Sequence, residues 1–389
     1  MRDFWGFLLL LFVIAAFLRI DFFFYIVYLF AGLAVITHWW TRRSIRGLEF
    51  RRTYQSRAFL GEVLTARLVV RNTHWLPIPW VRIHESLPLA LTSPAFISRA
   101  VSLWPGESLE ITYTLDCRRR GLYRLGPVNL NTGDLFGFGE TSAGENQPHY
   151  VTVYPRIVPL ARLRLPSRSP FVSLPYRQRL FEDPSRVRGV RPYQVGDSPR
   201  HIHWTATASV GDLLVKQYEP AIALETLVLL NLGKESYDAR WLYNASETGI
   251  VVAASILYHL TQTGQAVGLA VNGYDPLTEN PPQPLPTARG QAALMRGLDI
   301  LARVEVAPAQ PLLEWARRAA SDLAWGSTVV LVTPTEPPDL AGLWLHLKRA
   351  GFSPVLILTQ GPPNGAARQL GIPVAVVPYE SEVGDLAKL

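Results

Sequence analysis

Residues 189–219 read GVRPYQVGDSPRHIHWTATASVGDLLVKQYE, and this stretch decides how the rest of the chain is parsed. It gathers Arg191, Tyr193, Gly196, Asp197, Arg200, His201, His203, Trp204, Lys216 and Glu219 into about one supersecondary unit. Val195-Gly196-Asp197 reads as a turn, where an Asp side chain bonds nearby backbone. Arg191 and Arg200 flank that turn, and a guanidinium grips a carboxylate through two parallel bonds. His201 and His203 are two apart. On a strand they share one face, and with Asp197 they offer ligand types that zinc accepts, while the default reading gives each His an exposed or capping role. Ile202 and Trp204 read instead as strand residues packed on a core. The stretch therefore has a structural reading, a folded knot locked against the following domain. It also has a docking reading, in which Arg191, Tyr193, Gly196, Asp197, Arg200, His203 and Trp204 face a partner. The alternative is a metal-dependent hydrolase using Asp197, His201 and His203.

Downstream, residues 221–389 alternate apolar strands with helical patterns. Strands are expected at 224–232, 266–272, 328–333, 354–359 and 373–377, and helices at 240–263, 291–302, 311–323 and 339–350. Residues 273–287 are rich in Pro and read as a loop. Such alternation predicts an α/β domain with a mainly parallel sheet.

Upstream, residues 47–155 read as β. LTARLVVRN (residues 64–72) and LEITYTLD (residues 109–116) alternate apolar with polar side chains. Short runs of this kind, bounded by Pro and Gly, predict a small sandwich. Residues 156–220 are expected to hold a linker and then the opening stretch, with 161–184 rich in Pro, Ser and Arg.

The N-terminus, residues 1–41, is expected to be a two-helix membrane anchor. Residues 4–18 and 22–40 are nearly uncharged runs split by Arg19-Ile20-Asp21. As helices they span roughly 22 and 28 Å, against a bilayer core of about 30 Å. A single helix through both is too long, so a hairpin is expected. Trp5, Trp39 and Trp40 stand at the outer ends, where interfacial aromatics belong. Arg42, Arg43, Arg46, Arg51 and Arg52 follow the second run and place this end in the cytoplasm. The expectation is a multi-pass protein of the cytoplasmic membrane with its bulk in the cytoplasm. Much of the net charge of +7 is this arginine cluster, which favours anionic lipid in the bilayer over nucleic acid.

Cys117 is the only cysteine, so no intrachain disulfide forms. Arg118, Arg119 and Arg120 beside it are of the kind that lowers a thiol pKa, but no matched His accompanies them, so a buried or incidental thiol is expected. There is no phosphate-binding Gly loop, no G-x-S-x-G and no H-E-x-x-H. No cofactor is expected, and no catalytic set is assembled in the sequence.

The pattern R-x-Y-x-x-G-D-x-x-R-x-I-x-W, from Arg191 to Trp204, closely resembles the signature of the bacterial and archaeal "domain of unknown function 58" family. Residues 118–140 and 151–160 resemble the region that precedes that signature. Pro192 and Ala208-Ser209 depart from the usual family pattern. The resemblance implies that residues 221–389 form a von Willebrand factor A-like domain. Such domains often hold a divalent cation through D-x-S-x-S after the first strand. Here that position reads Asn231-Leu232-Gly233-Lys234-Glu235, and the later strand ends Thr333-Pro334-Thr335-Glu336. Asn231, Thr333 and Glu336 remain as oxygen donors, and a scaffold without metal is expected. The resemblance further implies a non-enzymatic adaptor working with a MoxR-type AAA+ ATPase, and with transglutaminase-like membrane proteins, in maturing a membrane or cell-envelope complex.

Overall fold

The computed structural model describes residues 2–18, 21–133, 140–145, 147–160, 163, 182–194, 197–220, 225–337 and 340–388. The chain divides into two compact units, Met1–Arg156 with Leu298–Val304, and Ile157–Gly297 with Glu305–Leu389.

The first unit opens with helices α1 (Arg2–Leu18) and α2 (Asp21–Ile45). The Phe12 and Phe24 rings meet edge to face at 5.9 Å. Residues 19–20, on which the expected hairpin turn falls, lie outside the described residues. Among the described residues, α2 is the one helix long and apolar enough to cross a membrane. Its flanks leave Tyr25, Tyr28, Leu29, Val35 and Ile36 exposed, which water disfavours and lipid does not. Thr37 and Thr41 donate their hydroxyls to the carbonyls of Leu33 and Thr37, so neither needs water. Asp21 in the first turn and Arg42 and Arg43 in the last complement the helix dipole.

Ten strands follow: β1 (Leu48–Thr53), β2 (Arg57–Phe59), β3 (Val63–Asn72), β4 (Ile78–Ser86), β5 (Phe96–Leu103), β6 (Ser108–Asp116), β7 (Gly121–Leu125), β8 (Val128–Gly133), β9 (Glu140–Gly144) and β10 (His149–Tyr154). They form sheets ordered β1-β3-β6, β5-β4-β8-β9 and β2-β10-β7, antiparallel except for β2 with β10. In β3, Leu64, Ala66, Leu68 and Val70 are buried and their neighbours are not, the two-residue period of a half-buried strand. Leu68, Val70 and Ile111 from one sheet share a core with Ile78, Val81, Ile83, Val128 and Leu130 from the other. This is a β-rich region built as expected from alternating strands.

The second unit begins with a hairpin, β11 (Glu182–Pro192) and β12 (Leu214–Pro220), which encloses α3 (Trp204–Val210). The expected linker thus contains paired strands; its residues 161–162 and 164–181 lie outside the described residues. The main sheet is β13 (Glu225–Asn231), β14 (Ala266–Asn272), β15 (Leu285–Ala288), β16 (Thr328–Thr333), β17 (Ser353–Leu358) and β18 (Val374–Val376), in the order β15-β14-β13-β16-β17-β18. All neighbours are parallel except β15 against β14, so the sheet is mixed. β15 lies where a Pro-rich loop is expected. Proline survives there because β15 is an edge strand, whose missing N–H costs no ladder bond.

The helices are α4 (Leu242–Gln262), α5 (Gln291–Arg303), α6 (Leu312–Ala319), α7 (Leu340–Arg349) and α8 (Ala366–Gln369). β14, β16 and β17 are buried along their whole length, as parallel strands covered on both faces must be. On one face Trp315, Leu343, Trp344 and Leu347 pack against Leu229, Leu331 and Leu356. On the other, Gly249 lets α4 close on the sheet: a Cβ there would meet Leu230 at 3.3 Å and Val332 at 3.6 Å.

Candidate functional site

The hairpin register sets Arg191 opposite Val215 and Pro192 opposite Leu214. From this base the Arg191 guanidinium reaches Asp197 with two bonds, Nη1 to Oδ2 and Nη2 to Oδ1, each 2.7 Å. Asp197 Oδ2 also accepts the Gln194 N–H at 2.9 Å. The Arg191 bonds and that backbone N–H lower the Asp197 pKa from 3.8 to about 2, with His201 adding a smaller pull. Tyr193 is tied through its own backbone N–H to the Leu213 carbonyl. Val195 and Gly196 lie outside the described residues.

The histidines do not stand on a strand. His201 ends a 3-10 turn, Pro199–His201, and His203 caps α3. The His203 Nδ1 lone pair accepts the Ala206 N–H at 3.1 Å, so it is closed to a metal. A prolyl turn followed by a cap overrides the strand reading, because an N-cap needs a side-chain acceptor and His203 supplies one. Among the described residues, no group of three or more His, Cys, Asp or Glu is placed to hold a metal. Asp197, bound to Arg191 and held strongly acidic, is a weak base for hydrolysis.

Trp204 is placed differently from its expected core position. It is the first residue of α3 and is 67% exposed. Val210, at the other end of the helix, and Leu213 just beyond it are exposed too, as is Arg200. The helix itself is held from behind. His203 N–H bonds the Leu214 carbonyl, Leu214 N–H bonds Thr207 Oγ1, and Gly211 closes the helix in the left-handed region at φ 83°. Arg191, Asp197 and His203 therefore fix the segment, while Tyr193, Arg200 and Trp204 are presented to solvent.

A second polar cluster lies at the carboxyl edge of the main sheet, where open α/β sheets place their ligand crevices. Asn231 and Thr333 come together there: Asn231 Nδ2 donates to Thr333 Oγ1 at 3.2 Å and to Ser236 Oγ at 2.9 Å. Its Oδ1 accepts from Gly233 N–H at 3.1 Å and from Asn272 Nδ2 at 3.2 Å. Because a backbone N–H can only donate, Gly233 fixes which way the amide faces. Tyr237 donates its hydroxyl to the Asn231 carbonyl at 2.7 Å, and burial raises its pKa. Glu336 engages elsewhere: its Oε1 accepts the Ala367 N–H at 2.7 Å, and its buried Oε2 has no partner among the described residues. These residues do not fit a divalent cation. Where an Asp oxygen would face the ion, an amide nitrogen faces two hydroxyls. Sequence reasoning missed Ser236, since the 3-10 turn Lys234–Ser236 brings it back from beyond the expected spacing.

The first unit hides an ionic network that the sequence does not announce. Arg52, expected beside the membrane, has a side chain only 1% exposed and bonds Glu85 at 2.8 Å and Glu145 at 2.9 Å. Burial opposes its charge, and the two carboxylates outweigh that, so its pKa is raised. Tyr113 donates to Glu85 at 2.7 Å, and burial followed by the Glu85 charge pushes the phenol up. His149 lies 2.9 Å from Glu145. Cys117 is the buried thiol expected. Burial, with Glu62 and Asp116, raises its pKa rather than lowering it.

The model of the family described as "Protein of unknown function DUF58" matches residues 189–333. The match begins in β11 and stops at the end of β16, so it takes in both the Arg191–Asp197 pair and the Asn231–Thr333 contact. The chain is 27% identical over 220 residues to "Uncharacterized protein YeaD" of Bacillus subtilis (strain 168), covering 55% of this chain and 52% of that protein. It thus spans about half the length of that relative. Among solved structures, the CARDB domain of the PF1109 protein from Pyrococcus furiosus is similar at 16% identity, over 27% of this chain and 91% of that one, with a TM-score of 0.21. Proximal thread matrix protein 1 from the mussel byssus is similar at 14% identity, over 43% of this chain and 46% of that one, with a TM-score of 0.32.

Proposed function

We propose that this chain is a membrane-anchored, non-enzymatic adaptor. Its N-terminal helices pair as a hairpin anchor in the cytoplasmic membrane, and its bulk faces the cytoplasm. The α/β region acts as a von Willebrand factor A-like recognition head. Its partner is a MoxR-type AAA+ ATPase, and the pair matures a membrane or cell-envelope complex, with a transglutaminase-like membrane protein as a further associate.

The observation that carries this reading is Trp204, a large apolar side chain 67% exposed on a helix braced from behind. Exposed tryptophans on rigid supports are favoured anchors of protein interfaces. The Arg42 and Arg43 charges in the last turn of α2 support the cytoplasmic orientation. The saturated amide of Asn231 and the neutralised carboxylate of Asp197 support a binding role over a catalytic one.

The test is capture from the native host with a C-terminal tag, crosslinking and gentle solubilisation. Native protein is expected to recover an AAA+ ATPase, and a Trp204→Ala variant at equal membrane level is expected to lose it. Equal recovery by both would move the interface away from the signature. Recovery of no ATPase by the native protein would sink the adaptor reading.

A further inference from the structure

The β-sandwich end next to α2 carries two exposed tryptophans that the adaptor reading leaves unused. Trp75 and Trp104 are each 68% exposed. They stand in separate loops, residues 73–77 and 104–107, yet one side chain ties the loops together. Asn72 is fully buried, and its Nδ2 donates to the Leu76 carbonyl at 2.9 Å and to the Leu103 carbonyl at 3.2 Å. Those are the residues next to Trp75 and Trp104. The Asn72 backbone carbonyl accepts from Gly106 N–H, and its Oδ1 accepts from His74 N–H.

The same loops are fixed to the exit of α2. Trp40 Nε1 donates to the Pro77 carbonyl at 3.0 Å. Thr73 gives both its N–H and its hydroxyl to the Gly47 carbonyl, each at 2.8 Å. A Cβ on Gly47 would collide with the Cβ of His74, so the close approach requires glycine. Register agrees: Leu48 pairs with Asn72, Arg71 with Ser108 and Ile78 with Leu103, which puts all of them at one end of the sandwich. The Pro77 carbonyl thus lies at the height of Trp40, where the apolar run of α2 ends and Arg42 and Arg43 begin. Around this end Arg42, Arg43, Arg46 and Arg71 are exposed, against Glu49, Glu107 and Glu140, and Glu107 is turned onto the Trp104 N–H.

We infer that Trp75 and Trp104 seat the sandwich on the bilayer that α2 crosses, with their rings at the headgroup level beside Trp39 and Trp40. The partner is an anionic lipid surface. Tryptophan suits that level because its ring is apolar and its N–H is polar, and the arginines at the α2 exit meet lipid phosphate. The inference rests on α2 being a membrane anchor.

The test uses the full chain reconstituted in vesicles of phosphatidylethanolamine and phosphatidylglycerol. Single cysteines at Trp75, Trp104, Leu89 and Ile36 carry an environment-sensitive fluorophore. Cys117 is buried, and the parent chain serves as its labelling blank. Leu89 lies past Ser86, at the opposite end of β4, and is exposed. The label is read against headgroup spin-labelled lipid and against aqueous iodide. Labels at 75 and 104 are expected to shift to the blue, to be quenched by the lipid probe and to lose iodide quenching, while that at 89 keeps it. Iodide quenching at 75 and 104 equal to that at 89, with the label at 36 lipid-quenched, overturns the seat and leaves the anchor standing. A label at 36 open to iodide overturns the anchor, and the seat with it. Trp75 and Trp104 are exposed, so their replacement leaves the core intact; matched circular dichroism of each variant checks this.

Discussion

Arg191 and Asp197, six residues apart, are joined by two parallel bonds of 2.7 Å that close the loop between β11 and the 3-10 turn. The pair makes that loop acid-sensitive in a defined direction. The Asp197 pKa is lowered from 3.8 to about 2, so its contribution is complete above about 3.8 and is lost as pH falls through about 2. Hydrogen exchange over residues 192–203, corrected for intrinsic rates, is expected to rise across that window in native protein. In Asp197→Asn it should already be raised at higher pH and change little. A flat native profile would mean that the pair does not hold the loop.

Trp204→Ala should abolish ATPase capture and leave stability within about 0.5 kcal/mol, the usual range for a surface change. Thermal melting of native and variant protein in the same detergent checks the second half. A large loss of stability would mean that the ring packs on something and is not a free anchor.

Arg52→Ala should destabilise the first unit by about 3–5 kcal/mol, because it strands Glu85 and Glu145 in the interior. Adding Glu85→Gln and Glu145→Gln should recover part of the loss. Urea denaturation of the full chain, followed by protease accessibility of the β strands, separates these cases. A single variant as stable as native protein would show the charges to be solvated.

Gly126→Ala attacks the same network from the backbone. Gly126 lies at φ +86°, and a Cβ there would stand 2.8 Å from Glu145 Oε2 and 2.9 Å from Arg52 Nη2. A loss of about 1–3 kcal/mol is expected from the left-handed backbone alone, and more where the ion pair is displaced. The same denaturation measurement reads it, and Gly61→Ala is the control: it shares a positive φ but meets nothing.

Asn231→Ala should cost about 1–3 kcal/mol by leaving the Gly233 N–H without its acceptor. Asn231→Asp should cost more without cation, since it places a carboxylate charge where a neutral amide is fully buried. Melting with chelator and with added magnesium reads both variants. Equal stability of Asp and Asn forms in chelator would show the charge to be solvated.

The parts of this chain that the sequence discloses are those where pattern and burial coincide. β3 shows its two-residue period outright, and β14, β16 and β17 show the unbroken apolar runs of covered parallel strands. Legibility fails where one residue of register decides the outcome. Arg51 and Arg52 look alike in sequence, yet β1 turns the first to solvent and the second into the core. It fails again where a local cap competes with a longer element: the strand expected through Ile202 and Trp204 gives way to α3, and His203 takes the capping role that is its default reading. The Asn231 cluster was half visible, since Asn231 and Thr333 end adjacent strands, but Ser236 enters through a turn that spacing does not encode.

Only Arg46 and Gly47 separate the end of α2 from the start of β1, and both flanks of that junction are bonded. α2 and the sandwich are thus coupled as a lever rather than tied by a tether. With α2 as the proposed anchor, a sideways pull on the sandwich would become a tilt of the helix in the lipid. In the proposed seat the sandwich would also keep one height and one face toward the membrane, so its encounters with other membrane-bound proteins would reduce to a search in two dimensions.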